Sequence, residues 1–255
     1  MTKRERKKSK QNEIISTEFN EDTKQRYESG EIKKKWSPHD LNHIKPITNN
    51  QSIAFDSWFS QSDRPHLALL GVAGSGKSFL SIYMAMRMIL PMNSPYKKLK
   101  IVRSIVQTRQ IGALPGTLEE KKQPIFSVYE EIFYQLFSKP KTLKNMADAD
   151  MIEFVDTSYI RGSTWNDCIV FIDEINNLND HEIHTVMTRI GNNTRILIAG
   201  DEKQSDLIGH SKNDKFNYGK FLSTINKIDS IGKVFFTVDD IVRSKFVKEW
   251  IIANE

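Results

Sequence analysis

The stretch Gly71-Val72-Ala73-Gly74-Ser75-Gly76-Lys77-Ser78 has the spacing G-x-x-x-x-G-K-S. Every residue type in it has a use if the ligand is a chain of phosphates. Successive backbone N–H groups in a glycine-rich turn form a concave anion site, and a helix that starts there adds the positive end of its dipole. Gly71, Gly74 and Gly76 permit the turn and let phosphate oxygens approach the backbone closely. Lys77 would reach the β- and γ-phosphates, and the Ser78 hydroxyl would bind Mg²⁺. Residues 71–79, from Gly71 through Val72, Ala73 and Ser75 to Phe79, form the expected nucleotide-binding set.

A second group of chemical residues ends the apolar run Ile169-Val-Phe-Ile-Asp173-Glu174, about 95 residues after the glycine-rich loop. An acid at the carboxyl end of a buried strand faces the crevice in which such sheets bind ligands. Asp173 would hold Mg²⁺, and Glu174 would orient a water for attack on the γ-phosphate. A third group, Gly200-Asp201-Glu-Lys-Gln204, follows another apolar run. Gln204 can donate and accept, which suits a residue that reports the state of a phosphate.

The elements that must position these groups follow from the hydrophobic pattern. Thr48 or Asn49 can cap a helix beginning near Gln51, with Ile53, Ala54, Phe55, Trp58 and Phe59 on its apolar face. Short apolar runs predict strands at 66–71, 98–103, 152–156, 167–174, 194–200 and 233–238. Helices are expected at 79–90, 119–137 (broken or restarted at Pro124), 180–190 and 241–252. The methionines of the first of these read as core filler. Strands that are apolar throughout and alternate with helices predict an α/β fold with a mainly parallel sheet and helices on both faces. The polar stretch after Gln204 reads as a mobile loop.

The chain has 255 residues, net charge +5 and one cysteine, Cys168. No apolar run is long enough to span a bilayer, and the basic N-terminus lacks the apolar core of a secretory signal. A lone cysteine excludes an internal disulfide and suits a reducing cytoplasm. Residues 1–36 hold eleven Lys/Arg against seven Asp/Glu, so most of the excess charge lies there. We expect residues 1–43 to be a basic, flexible leader, able to add salt-sensitive affinity for nucleic acid, and residues 44–255 to be a single domain. His181, His184 and His210 lack the spacing of a metal site.

The phosphate loop, Gly112-Ala-Leu-Pro-Gly-Thr-Leu-Glu-Glu-Lys121, Tyr159-Ile-Arg-Gly-Ser-Thr-Trp-Asn-Asp167, Phe171-Ile-Asp-Glu-Ile-Asn-Asn177, Thr188-Arg-Ile-Gly191 and the Gly-Asp-x-x-Gln turn together resemble the PhoH family. These are phosphate-starvation-inducible P-loop ATPases related to the first domain of superfamily 1 helicases. The resemblance spans residues 44–252. The length and the free-standing domain look like those of phage-encoded members, and for such a member the cytoplasm implied is that of the host.

The resemblance implies a RecA-like domain that binds ATP and Mg²⁺, hydrolyses ATP, and couples turnover to RNA or single-stranded DNA. The alternative function is a nucleotide-dependent switch or scaffold acting on protein partners. It further implies a homo-oligomer, most simply a hexameric ring. Gln51 resembles the glutamine that reads the adenine edge, since its amide matches N6 and N7; a solvated glutamine at a helix start is the other reading. Arg161 and Arg243 stand where family members carry arginines, for phosphate contact within the chain or from a neighbour, or for a structural ion pair. One departure is Asn176, where the family usually shows a longer glutamine.

Overall fold

The computed structural model describes residues 36–60, 63–103, 118–155, 157, 160, 162–201 and 216–253, with the backbone alone given for 118–125. Residues 1–35, Arg161, Gln204, His210 and most of the 112–121 segment therefore lie outside the described residues.

Six strands form one sheet: β1 (His66–Gly71), β2 (Lys98–Val102), β3 (Ile152–Val155), β4 (Cys168–Ile172), β5 (Arg195–Gly200) and β6 (Ile231–Phe236). The spatial order is β3-β2-β4-β5-β1-β6, and every neighbouring pair is parallel. Among the described residues seven α-helices accompany it: α1 (Asn49–Phe59), α2 (Lys77–Ile89), α3 (Leu118–Phe137), α4 (Thr142–Asp148), α5 (Asp180–Met187), α6 (Tyr218–Asn226) and α7 (Lys245–Ala253).

Parallel strands covered on both faces need apolar side chains at every position, and β4 is buried throughout. Alternate residues serve opposite layers. Leu67, Leu69, Ile101 and Phe171 join the core beneath α1–α4, where Trp58, Met84, Met86 and Phe133 are fully buried. Ala68, Leu70, Val170 and Ile198 join the second core with Val186 of α5 and Phe221 and Ile225 of α6. The α/β fold with helices on both faces is as the pattern requires.

Some elements differ from expectation. The cap of α1 is Thr48, one of the two expected, accepting from the Gln51 N–H, though the helix starts at Asn49 rather than near Gln51. Pro124, expected to interrupt α3, lies within an unbroken helix. Burial of Tyr129, Phe133, Leu136 and Phe137 on that helix outweighs the one backbone bond a proline cannot donate. α4 and α6 were not foreseen, and α6 begins inside the stretch read as a loop. Residues 36–43, assigned to the leader, are tied to α3. The buried Trp36 meets Phe137 edge-on with ring centroids 5.8 Å apart, and the Asn42 N–H donates to the Leu136 carbonyl at 2.7 Å. A tryptophan with an apolar partner overrides the polar character of its neighbours.

Gly191, in the turn before β5, donates its N–H to the Trp165 carbonyl at 2.8 Å. A Cβ there would run into Asn166 Oδ1 and lie 2.8 Å from that same carbonyl oxygen. We expect Gly191→Ala to destabilise the fold by about 1–3 kcal/mol, through displaced backbone, as a fall in the denaturant midpoint. A stability equal to that of the unaltered chain would show that the 164–166 turn yields without cost.

Candidate nucleotide site

The sheet places β1 and β4 on either side of β5, so the loops after β1 and β4 open at the same carboxyl edge with one strand between them. A groove of about 670 Å³ runs across this edge, lined by the glycine-rich loop, Gln51, Arg103, Asp173, Glu174, Asp201 and Arg243.

The loop's shape is set by its glycines and by the bonds its carbonyls accept. Gly71 has φ +117°, and a side chain there would collide with the Phe236 carbonyl, so β6 presses directly against the loop. Gly76 sits at φ +82° as the residue that starts α2, a left-handed position that glycine takes at low cost. The Val242 N–H donates to the Gly74 carbonyl at 3.1 Å, and Gln51 Nε2 donates to the Ser75 carbonyl at 3.1 Å. A trans peptide carries its C=O and N–H on opposite sides, so the Ser75 and Gly76 amides face away from these two partners. Ser75 Oγ donates to the Val72 carbonyl at 2.9 Å.

Lys77 folds onto its own loop, donating to the Gly71 and Val72 carbonyls at 2.7 and 2.6 Å. Burial lowers its pKa to about 8, against the pull of the Asp201 and Asp173 charges. An ammonium held this way is poorly hydrated. Ser78, one residue on, donates its hydroxyl to Asp173 Oδ1 at 2.8 Å.

Asp173 ends β4 and is 3% exposed. Its Oδ1 also accepts from the Glu174 N–H at 3.1 Å, and its Oδ2 accepts from the Tyr129 hydroxyl at 2.7 Å. Glu174 has φ +50°, a left-handed conformation costly for a residue with a side chain. One of its carboxylate oxygens accepts from Arg103 Nη2 at 2.6 Å and the other from Asn177 Nδ2 at 3.1 Å. Burial raises the Glu174 pKa, and the neighbouring Asp173 charge adds to this while Arg103 opposes it.

The structure thus brings Lys77, Ser78, Asp173, Glu174 and Asp201 to one groove. Gln51 is 3% exposed rather than solvated: its Oε1 accepts from the Ile47 N–H at 2.8 Å while its Nε2 holds the loop. The adjacent Asn50 donates to Asp240 Oδ2 at 2.7 Å. Arg243 follows Val242 at the rim of the groove, its Cγ 3.1 Å from where a Gly74 Cβ would sit. Asn176, despite its shorter reach, spans two elements, accepting from the Asp201 N–H at 3.1 Å and donating to Asn177 Oδ1 at 3.4 Å.

Sequence reasoning missed Arg103, Tyr129 and Asn177. Arg103 carried a usable signal, because it follows a buried strand at the ligand-binding edge. Tyr129 carried none, since it reads as one more apolar position on a helix. Among the described residues, no three His, Cys, Asp or Glu side chains form a group able to hold a metal, and no helix is long and apolar enough to cross a membrane.

The chain is similar to several known proteins. A Bacillus subtilis relative, Protein PhoH2, is 35% identical over 182 residues, covering 69% of this chain and 40% of that protein. A Synechocystis PhoH-like protein is 28% identical over 188 residues, covering 73% of this chain and 55% of that protein. The chain thus spans about half the length of the curated relatives it matches. A large terminase from a thermophilic bacteriophage, solved with ADP, shares 14% identity at TM-score 0.45 over 80% of this chain and 49% of its own, too remote to bear on function. The family model described as PhoH-like protein matches residues 43–255. With its phosphate loop and paired acids on one sheet edge, this chain belongs to the PhoH family of P-loop nucleotide-binding proteins.

Proposed function

We propose that the chain binds ATP with Mg²⁺ in this groove and hydrolyses it to ADP and phosphate. The observation that carries the reading is the 2.8 Å contact between the Ser78 hydroxyl and Asp173, beside Lys77 and Glu174. A hydroxyl and a carboxylate are hard oxygen donors of the kind Mg²⁺ takes, and it usually adds waters and substrate phosphates to one or two carboxylates. The residues fit the ion: Ser78 would bind it and Asp173 would hold it. When bound, Mg²⁺ neutralises developing charge on the phosphate oxygens.

The chain's own residues supply the rest. The amides at the start of α2 hold the phosphates, and the Lys77 ammonium exchanges its two loop carbonyls for phosphate oxygens. Glu174 accepts a proton from a water as that water's oxygen bonds to the γ-phosphorus. The bond from this phosphorus to the β–γ bridging oxygen breaks, leaving ADP and inorganic phosphate. The adenine reading for Gln51 is chemically open, because each end of its amide has capacity for one more hydrogen bond beyond those it makes. Arg243 stands at the rim of its own chain's groove, which favours a phosphate contact within the chain.

We propose coupling to RNA or single-stranded DNA, supported by the charge of residues 1–36 and by the family's helicase relationship. We further propose a homo-oligomeric ring on the same family grounds. Neither Gln204 nor Arg161 lies among the described residues; a phosphate-reporting role for the first and a phosphate contact for the second remain part of the proposal.

Four sets of measurements test this. Lys77→Ala is expected to weaken ATP binding in calorimetry by about tenfold or more, the scale of a lost charge-assisted bond. Glu174→Gln is expected to bind ATP normally while turnover falls by about 10²–10⁴-fold. Normal hydrolysis by either variant overturns the site. Gln51→Ala is expected to lower stability by about 1–3 kcal/mol, through two orphaned backbone groups, and to reduce the preference for ATP over GTP. Equal turnover of both nucleotides by the unaltered chain removes the adenine role. Single-stranded RNA or DNA is expected to raise kcat, with a steep loss as salt rises. Turnover indifferent to both, with light scattering showing a monomer in ATP, would instead favour the switch that acts on proteins.

A further inference from the structure

Arg103 is the first residue after β2, whose neighbour in the sheet is β4, the strand that ends in the two acids. Its side chain is 20% exposed, and its guanidinium makes a 2.6 Å ion pair to Glu174 Oε1. The guanidinium carbon lies 6.0 Å from the centre of the Tyr129 ring, the same tyrosine whose hydroxyl holds Asp173. Arg103 also lines the groove with Lys77 and Ser78. Nothing in the phosphate-loop chemistry described so far uses it.

We propose that Arg103 is a positioning residue for water activation. It acts through Glu174, so the inference rests on the reading of Glu174 as the group that accepts the water's proton. Glu174 occupies a left-handed backbone conformation, so its side chain leaves the end of β4 in a direction that an ordinary turn would not give. Such a conformation persists only where the surroundings fix it. Its N–H donates to Asp173 Oδ1 at 3.1 Å and its carbonyl accepts from the Asn177 N–H at 2.8 Å, which holds the backbone. Two side chains then fix the carboxylate, one on each oxygen: Arg103 at the end of β2 and Asn177 from the short 3₁₀ turn Ile175–Asn177 that Glu174 itself starts. A carboxylate oxygen has two lone pairs, so each can hold its protein partner and still accept from water. A charge-assisted bond from a planar guanidinium is both shorter and more directional than the amide bond opposite it. Arg103 therefore dominates the placement, and Asn177 limits rotation about it.

The test uses the full chain unaltered and as Arg103→Gln, Arg103→Lys, Glu174→Gln and the double variant Arg103→Gln with Glu174→Gln. Steady-state hydrolysis gives kcat and KM, and calorimetry gives ATP affinity. We expect Arg103→Gln to lower kcat by about ten- to a hundredfold, the scale of a misplaced reacting group, with KM and ATP affinity within about twofold. Arg103→Lys keeps one charged donor and should recover part of that loss, which also guards against a variant that fails to fold. Added to Glu174→Gln, the Arg103→Gln change should slow turnover no further, because a residue that acts only through Glu174 has nothing left to position. An unchanged kcat in Arg103→Gln overturns the inference. So does a loss that appears in KM and affinity instead, since Arg103 would then bind phosphate, or an equal further loss in the double variant. Full activity of Glu174→Gln is a different result: it overturns the water-activating role of Glu174 and this inference with it, whereas lost activity in Glu174→Gln beside an unchanged kcat in Arg103→Gln overturns the inference alone.

Discussion

A hydroxyl that starts one helix meets a carboxylate that ends a strand two places away in the sheet. This Ser78–Asp173 contact, between residues 95 apart in the chain, is the join on which the groove depends. It forms only because β5 lies between β1 and β4 in a parallel arrangement, so that both loops leave from the same edge. An antiparallel pair would send one of them to the opposite edge. The apolar composition of β4 and β5 is thus a condition of the chemistry, since strands covered on both faces are what a parallel sheet requires.

Around that join the polar groups form a connected set. Tyr129 and Ser78 take the two oxygens of Asp173, and Arg103 and Asn177 take the two of Glu174. Asn177 is reached in turn by Asn176, which also receives the Asp201 amide. A carboxylate drawn away from water needs partners, and these bonds supply them while aiming the two side chains. On the other flank Gln51 and Asn50 fasten α1 to the phosphate loop and to the turn before α7. The loop is therefore clamped from α1, β6 and Val242.

Much of this was legible in the residues. The G-x-x-x-x-G-K-S spacing located the loop, and the apolar runs at 66–71, 167–174 and 194–200 located the strands that flank the groove. Asp173 and Glu174 stood out because they close an apolar strand about 95 residues after a complete phosphate loop. What was not legible depends on long-range packing. Tyr129 is a helical residue with an apolar neighbourhood, and only the fold reveals that its hydroxyl faces a carboxylate 44 residues away. Gln51 looked like a solvated or base-reading side chain, and the structure shows that it also braces the loop. Pro124 gave a local signal that the burial of α3 overrode, and Trp36 showed that a region dominated by charge can end in a residue that belongs to the core.

The strand order has a further outcome for how the molecule is made. The strand that leads into the phosphate loop has both of its neighbours far downstream, at residues 195–200 and 231–236. While the polypeptide emerges from the ribosome, Leu67, Leu69 and Leu70 have no lateral partner until the first of those two strands has appeared. Pairings of such separation form slowly and leave sticky surface uncovered in the meantime. The nucleotide pocket is consequently among the last features to be completed during biogenesis, and chaperone demand should concentrate on that interval.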